Sequence, residues 1–518
     1  MMGEGSLYKE VKSRPELLSS HWAEWMTLGL ACLLAVLIFL QPTRVHMDVG
    51  LYLEVGELLL QGHTPYVDYW ETNPPLIHYL NILPAWLATV LPYPVTMVFM
   101  GLLWACTLGV AAWVRHLLIR AGRKGEGNWA ALGVLFATCQ MWFLNIHGQR
   151  EHLFALFFLP YAVFRMLEKD PRRLIGVGER IAIGFIAGLG LFIKPHFVVV
   201  LLLLEVGVWI QTRTLRRLSS VELGALCGTG VLYVGHFFLM PNGMAEAFWS
   251  RWVPYVWYGY ATTSKAPWGA LFMENANILV YLFAVLVLFA MAYRRRPSAQ
   301  LLGLGACVVG GVCSFIAQQK GWTYHLSAAL FFAAVGCVLL MGERCTSKWA
   351  RRGSLAIVGT IALAWAWGVS TERYEEPGHI TLMKQHAAAG DPVLVLSSNV
   401  ANIHPFVSIY GWQMLPGYPF SPVPNYQTRH SIDDLDAGVV AWMEQEETVY
   451  VGTTQRELQT LKPVVIAVET GPCWSCAETF RFSDWVLTNP LGALLQREYR
   501  LESSAYGFDL YIRKPDLR

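Results

Sequence analysis

The sequence predicts a polytopic α-helical membrane protein of about eleven transmembrane helices, followed by a small soluble α/β domain on the outer face. Three observations predict this. Hydrophobic residues make up 54% of the 518 and charged residues 15%, where an ordinary globular chain carries about 25% charged. Apolar runs approaching the ~20 residues that a helix needs to cross the hydrocarbon core recur through residues 1–370. Basic residues gather in alternate connections, as retention of Lys and Arg on the cytoplasmic side requires. This composition excludes a disordered chain and a wholly soluble one, and the long runs exclude a barrel of short alternating strands. A net charge of +2 names no nucleic-acid partner, and 21 Trp suit aromatic belts at a bilayer interface.

The expected spans lie near 22–41, 95–118, 128–145, 151–168, 181–194, 196–211, 221–240, 277–293, 299–317, 324–341 and 354–370. Eleven crossings place every basic cluster on one face, which is then cytoplasmic together with the N-terminus. Those clusters are Lys9, Lys12 and Arg14, then Arg120, Arg123 and Lys124, then Lys169, Arg172, Arg173 and Arg180. Arg213, Arg216 and Arg217 follow, then Arg294 to Arg296, and last Arg344, Lys348, Arg351 and Arg352. The opposite connections carry only Arg44, Arg150, Lys194, Arg251, Lys265 and Lys320. A further apolar stretch, 76–91, would invert that pattern if it crossed. Pro74, Pro75, Pro84, Pro92 and Pro94 punctuate it, so the first outer loop, 42–94, is expected to carry juxtamembrane helices lying at the interface. The first span is long and no small-residue cleavage site follows it, which argues against a cleavable signal peptide.

Residues 1–370 therefore form the membrane module and 371–518 a separate domain, with 18 acidic and 11 basic residues. DPVLVLSS, TVYVG and PVVIAVET read as strands of that domain, and 382–389 and 432–447 as helices. Of ten cysteines, eight lie in or near apolar spans or at a cytoplasmic end, where a thiol behaves as a small apolar group. Cys473 and Cys476 form CWSC in the outer domain. No second pair completes a zinc site, so a local disulfide is the simpler reading.

Chemistry-bearing residues concentrate in the outer connections. The first loop holds Asp48, Glu54, Glu57, Asp68 and Glu71. A helical pattern over 48–60 lays it along the membrane surface, with Asp48 just beyond the first span and His46 beside it. A carboxylate at that depth is costly without a partner or a task, whereas Glu54 and Glu57 read as solvated loop charges. The run HGQREH, 147–152, packs Arg150, Glu151 and two histidines between two apolar helices. Arg150 paired with Glu151 would merely hold two helix ends. The functional alternative is a site that would face Asp48 across a cavity. There Asp48, Glu151 and His147 could hold a divalent cation such as Mg or Mn, or activate a hydroxyl.

IKPHF, 193–197, and QQKGWTYH, 318–325, place Lys194 and Lys320 at helix breaks, each followed by a histidine, His196 or His325. Cations beside freed backbone N–H groups suit phosphate oxygens. Six Trp or Tyr within 249–260, with Arg251 and Lys265, could stack sugars or form an interfacial belt. Carboxylates and cations together suit transfer from a lipid phosphate, a base taking the acceptor's proton while cations hold the departing phosphate. The sequence has no Walker A, GxSxG or HExxH motif and no convincing internal repeat of a secondary transporter.

A first span that exits into Asp48 and a loop closing on GHTPYVDYWETNPPLIHYL resemble the GT-C superfamily of polyprenyl-phosphate-sugar glycosyltransferases. The nearest relatives in style are the protein O-mannosyltransferases, the lipid A aminoarabinose transferases and the rhizobial core transferases. The resemblance covers roughly 40–340; GQREH, GLGLFIKPHF and QKGWTYH match later landmarks more loosely. It implies that Asp48 is the loop carboxylate acting as general base, that Glu151 is the second acidic residue, and that Lys194 and Lys320 stand near the donor phosphate. Arg150, His196, His325, Tyr66, Asp68 and Glu71 are expected to help bind substrate. Two departures stand out: Asn73 replaces the Lys or His often found before the paired prolines, and Glu151 replaces a frequent Asp.

The expected activity is transfer of one sugar from a polyprenyl-phosphate donor to a hydroxyl of a cell-envelope glycan, lipid or protein. It would take place on the outer face of a bacterial cytoplasmic membrane and invert the anomeric carbon. The rival readings are a polymerase or ligase using a lipid-diphosphate donor, a lipid-carrier flippase, and an envelope-assembly scaffold. A flippase would need mid-span polar groups, of which Glu205 and His236 are among the few.

Overall fold

The computed structural model describes residues 4–515 apart from 43, 168–173, 241–242, 262–264, 296, 345–347, 372–375, 433–434, 472, 474–475 and 477–479. Lys169, Arg172, Arg173 and Arg296 of the expected basic clusters lie outside the described residues. In chain order come α1 (Glu4–Leu40), α2 (Met47–Leu60), α3 (Leu76–Val90), α4 (Val95–Arg120), α5 (Lys124–Phe143), α6 (Arg150–Arg165), α7 (Val177–Ile193), α8 (Val198–Thr212) and α9 (Val221–Leu239). Next are α10 (Ala276–Arg295), α11 (Ala299–Gln318), α12 (Ser327–Arg344) and α13 (Lys348–Thr371).

The chain is a multi-pass helical membrane protein. Among the described residues, eight helical stretches are long and apolar enough to cross a bilayer: Trp22–Leu40, Val95–Arg120, Pro195–Thr212, Val221–Leu239, Ala276–Arg295, Ala299–Gln318, Thr323–Gly342 and Arg352–Val369. All eight coincide with expected spans. The other three expected spans are α5, α6 and α7, which differ in kind. α6 and α7 have 16 and 17 residues, about 24–26 Å of helix, less than a hydrocarbon core of ~30 Å. α5 is buried along most of its length, Asn128 and Thr138 included, so protein neighbours rather than lipid set its composition.

Two compact units divide the chain. The first comprises Met1–Pro42, Met100–Val234 and Ala266–Arg373; the second comprises Thr43–Phe99, Gly235–Lys265 and Tyr374–Arg518. In the first unit, α7 lies against α6 at Gly190, where a Cβ would come within 3.0 Å of the Phe157 Cβ. That close approach brings the end of one helix beside the start of the other.

The second unit joins α2 and α3 to a five-stranded sheet of order β2-β1-β3-β5-β4. Its strands are β1 (Pro392–Leu396), β2 (Gln413–Met414), β3 (Val465–Glu469), β4 (Tyr499–Ala505) and β5 (Phe508–Arg513). β2, β1 and β3 run parallel, while β5 and β4 are antiparallel. Alternation divides the core: Leu394, Leu396, Ile466 and Val468 pack on one face, and Val393, Val395, Val465 and Ala467 on the other, as continuously apolar parallel strands require. Its helices are α14 (Gly378–Met383), α15 (Phe406–Tyr410), α16 (Val423–Ile432), α17 (Ala437–Leu461), α18 (Phe482–Thr488) and α19 (Pro490–Glu498).

Two of the expected strands are β1 and β3, but TVYVG is not a strand and lies inside α17. Met443, Glu446, Tyr450, Thr454 and Leu458 are its buried positions, a spacing of three or four that overrides β-branched propensity. The helix expected at 432–447 accordingly begins at Ala437 and runs on to Leu461. The one expected at 382–389 is mostly turn after Met383. The β4–β5 hairpin escapes the sequence reading because its two-residue loop is Tyr506-Gly507, both at positive φ, rather than Asn-Gly.

Candidate functional site

In the first unit a polar cluster forms where three chain breaks meet. The turn before α6 uses Gly148 at φ +74 and sets Arg150 and Glu151 in the first helical turn, where a carboxylate meets the positive end of the helix. Lys194 closes α7 in an extended conformation, as a residue before proline prefers. Its Nζ lies 2.7 Å from Glu151 Oε1, and Glu151 is fully buried. His325 Nε2 lies 3.9 Å from the same oxygen.

The third break, 319–326, is fixed by its own unit. Asn275 donates to the Gly321 carbonyl at 2.8 Å, and Thr323 donates to Asn275 at 3.1 Å. Trp322 and Tyr324 flank the His325 ring at 5.3 and 4.4 Å, and the Lys194 ammonium stands 6.0 Å from the Tyr324 ring centroid. Arg150, Lys194 and Lys320 all act electrostatically on both His196 and His325. Arg150 and Lys194 are buried, and a cluster of permanent cations suits an anion with several acceptor oxygens. His147 stacks on Trp142 at 4.2 Å, and His152 Nδ1 accepts from the Gly148 N–H at 3.1 Å.

In the second unit Asp48 sits in the first turn of α2. His46 caps that helix, its Nδ1 accepting from the Asp48 N–H at 3.2 Å and lying 3.8 Å from Asp48 Oδ2. The Asp48 side chain keeps 18% of its surface exposed, so it stays reachable. The other expected loop residues have internal partners. Glu71 is buried, pairs with His78 Nε2 at 2.9 Å and accepts from both the backbone and the side chain of Asn73 at 2.7 and 2.6 Å. Tyr66, at φ +65, donates to the Asn73 carbonyl at 2.8 Å. Asp68 accepts from the Thr64 N–H at 2.6 Å and closes a turn. Together they shape the run ahead of Pro74 and Pro75.

Glu54, read from sequence as a solvated charge, is instead 3% exposed and pairs with His404 Nδ1 at 2.9 Å. Burial, with Glu54 beside it, pushes the Glu57 carboxyl up to about 7. Arg251 of the aromatic loop makes a two-pronged bond to Glu446, with Nε–Oε1 at 3.0 Å and Nη2–Oε2 at 2.9 Å, and lies 5.1 Å over the Trp70 ring. Cys473 and Cys476 form a disulfide with Cα atoms 5.5 Å apart.

Within the first unit, mid-span Glu205 accepts from Arg165 and, at 2.8 Å, from Tyr161. Arg165 reaches Glu222 at 3.0 Å, and Arg180 holds Glu222 at 2.7 Å. Two arginines and two glutamates thereby neutralise one another. Sequence reasoning missed this network, the pairing of Lys194 with Glu151, the aromatic flank of Trp322 and Tyr324, and His78. A histidine seven residues beyond Glu71 was the one local signal for the last. Among the described residues no three or more His, Cys, Asp or Glu side chains form a group that could hold a metal ion. The structure gives no support to the cation site expected of Asp48, His147 and Glu151.

No family model matches the chain, and no curated protein matches it by sequence. Solved structures do. ArnT from Cupriavidus metallidurans bound to undecaprenyl phosphate aligns with a TM-score of 0.58 at 12% identity, covering 95% of this chain and 99% of that one. The same protein in the apo state gives 0.56 at 13% identity, over 94% and 98%. An oligosaccharyltransferase from Archaeoglobus fulgidus reaches only 0.46 at 13% identity, over 87% and 70%, a likeness that carries no argument. The chain thus shares the fold of ArnT over 95% of its length, in keeping with the GT-C resemblance read from GHTPYVDYWETNPPLIHYL.

Proposed function

We propose that this chain is an integral-membrane glycosyltransferase that moves one sugar from a polyprenyl-phosphate-linked donor to an acceptor hydroxyl. It acts on the outer face of the cytoplasmic membrane, with eleven crossings, a cytoplasmic N-terminus and an extracytoplasmic C-terminal domain. The observation that carries this reading is the buried Lys194–Glu151 pair with Arg150 and Lys320 around His196 and His325. The likeness to ArnT, an aminoarabinose transferase solved with undecaprenyl phosphate, supports the same class of donor.

In the reaction Asp48 takes the acceptor's hydroxyl proton. The acceptor oxygen bonds to the anomeric carbon as that carbon's bond to the phosphate oxygen breaks, and the electron pair leaves with the polyprenyl phosphate. Attack opposite the leaving group inverts the carbon. Lys194, Arg150 and Lys320 stabilise the charge that develops on the phosphate, and Glu151 holds the Lys194 ammonium in place. That ammonium already occupies one oxygen of Glu151, and these fixed cations serve the leaving group.

The test supplies purified protein with undecaprenyl-phosphate-linked sugars and, separately, with lipid-diphosphate oligosaccharides, and follows release of the lipid. Monophosphate donors are expected to react, and Asp48→Asn to lose about 100-fold or more in turnover while folding normally. Full turnover in Asp48→Asn, or reaction from the diphosphate donors alone, overturns the reading.

A further inference from the structure

We propose that the C-terminal domain is a positioning part of the transferase: through His404 and Ser408 it grips Glu54 and so fixes the helix that presents Asp48. The proposal rests on Asp48 being the proton acceptor. Asp48 and Glu54 share α2, one in its first turn and the other at its centre. Burying a carboxylate is costly unless polar groups meet it, and the domain brings one to each of Glu54's oxygens. His404 Nδ1 stands 2.9 Å from Oε2, and the Ser408 hydroxyl donates to Oε1 at 3.0 Å. One helical turn earlier, Gly50 lies against the same segment. A Cβ there would come within 2.6 Å of the Pro405 Cβ and 2.7 Å of its Cα.

Apolar packing completes the grip. Leu51, Val55 and Leu58 cluster with Tyr69, with Val400 and Met414 of the domain packed against them. Towards α3, Gly56 is so close that a Cβ would meet the Asn81 carbonyl oxygen at 2.5 Å. Held by the domain and by α3, α2 can neither slide nor turn about its axis without disturbing the buried Glu54 contacts or a close backbone contact. Proton transfer needs a donor–acceptor distance of about 2.6–3.2 Å, and a shift of ~1 Å can cost on the order of 100-fold in rate. Positioning by His404 and Ser408 is therefore a term in the chemistry as well as in folding.

The experiment uses the full-length protein in lipid nanodiscs, with undecaprenyl phosphate as the binding probe and the donor that reacts in the test above as substrate. His404→Ala is expected to lower kcat by roughly 10–100-fold and to speed hydrogen exchange of the α2 amides at least ~10-fold. Affinity for undecaprenyl phosphate, which the cations of the first unit would bind, should not change. His404→Gln, which still offers Glu54 a donor, should restore most of the turnover; Ser408→Ala should fall between. Wild-type kcat and unaltered exchange in His404→Ala overturn the proposal. So does an equal loss of kcat and lipid affinity that His404→Gln does not rescue, because that is unfolding. An active Asp48→Asn enzyme overturns the base assignment instead, and it is told apart because α2 exchange still responds to His404→Ala.

Discussion

The Lys194 ammonium lies 2.7 Å from a carboxylate oxygen of Glu151 and joins the end of α7 to the start of α6 in a buried contact. Each charge is also favoured by its helix terminus, cation at the carbonyl end and anion at the amide end. Removing one partner takes from the other its nearest counter-charge in low dielectric, which costs up to roughly 3–5 kcal/mol. Lys194→Ala should therefore lower the thermal midpoint of the solubilised protein and weaken undecaprenyl phosphate binding. The double variant Lys194→Met with Glu151→Gln removes both charges and should regain most of the midpoint without regaining turnover. Recovery of both would make the pair purely structural.

The network of Arg165, Glu205, Glu222 and Arg180 tests the opposite case, burial without chemistry. Glu205→Ala leaves Arg165 with only half of its carboxylate partners and should cost on the order of 3 kcal/mol. Turnover per folded molecule should stay at the wild-type level. A flux of lipid carrier that depends on Glu205, measured in proteoliposomes, would instead favour a transport function.

Periodicity and length made the helices legible. The patterns over 48–60 and 76–91 become α2 and α3 with ends within a residue or so, because apolar spacing is a local property. TVYVG misleads because its local propensity is for strand while its burial follows the helix around it. The residues of the candidate site were visible as costly charges at outer turns, but their partners were not. Lys194 and Glu151 are 43 positions apart, and Glu54 and Ser408 are 354 apart. Which turns meet is decided by close approaches such as Gly190 on Phe157, and no spacing rule encodes those. Glu54 looked solvated for the same reason: its partners His404 and Ser408 lie more than three hundred residues downstream.

Glu457 should give the second unit a measurable pH dependence. Its carboxyl accepts from the Gly417 N–H at 2.7 Å, and Arg456 is nearby, yet burial outweighs both and pushes it up to about 7 from 4.5. Between those values the folded chain binds more protons than the unfolded one. Stability is therefore greatest at the acid end of the window and falls as pH rises towards 7. The full shift corresponds to about 3 kcal/mol at most. Glu57 has the same sign, so the quantity to measure is the difference between wild type and Glu457→Gln in thermal midpoint across pH 4.5–7.5. Parallel curves would show that Glu457 titrates normally.

Two glycine substitutions should act with opposite signs. A Cβ on Gly56 would lie 2.5 Å from the Asn81 oxygen and 2.8 Å from its carbonyl carbon. These are backbone atoms of α3, further held because the Asn81 side chain donates to the Ile77 carbonyl at 2.8 Å. Nothing there can swing aside, so Gly56→Ala must push the two helices apart, at a cost of about 1–3 kcal/mol. Gly452, on the exposed side of α17, has no atom within 4 Å of the position its Cβ would take. There the added methyl only restricts the unfolded chain and improves helix propensity, so Gly452→Ala should stabilise by roughly 0.5–1 kcal/mol. Thermal midpoints of the two variants, read by tryptophan fluorescence, check both signs. A harmless Gly56→Ala would mean that α2 and α3 are free to separate, and the clamp on Asp48 would then lose one of its jaws.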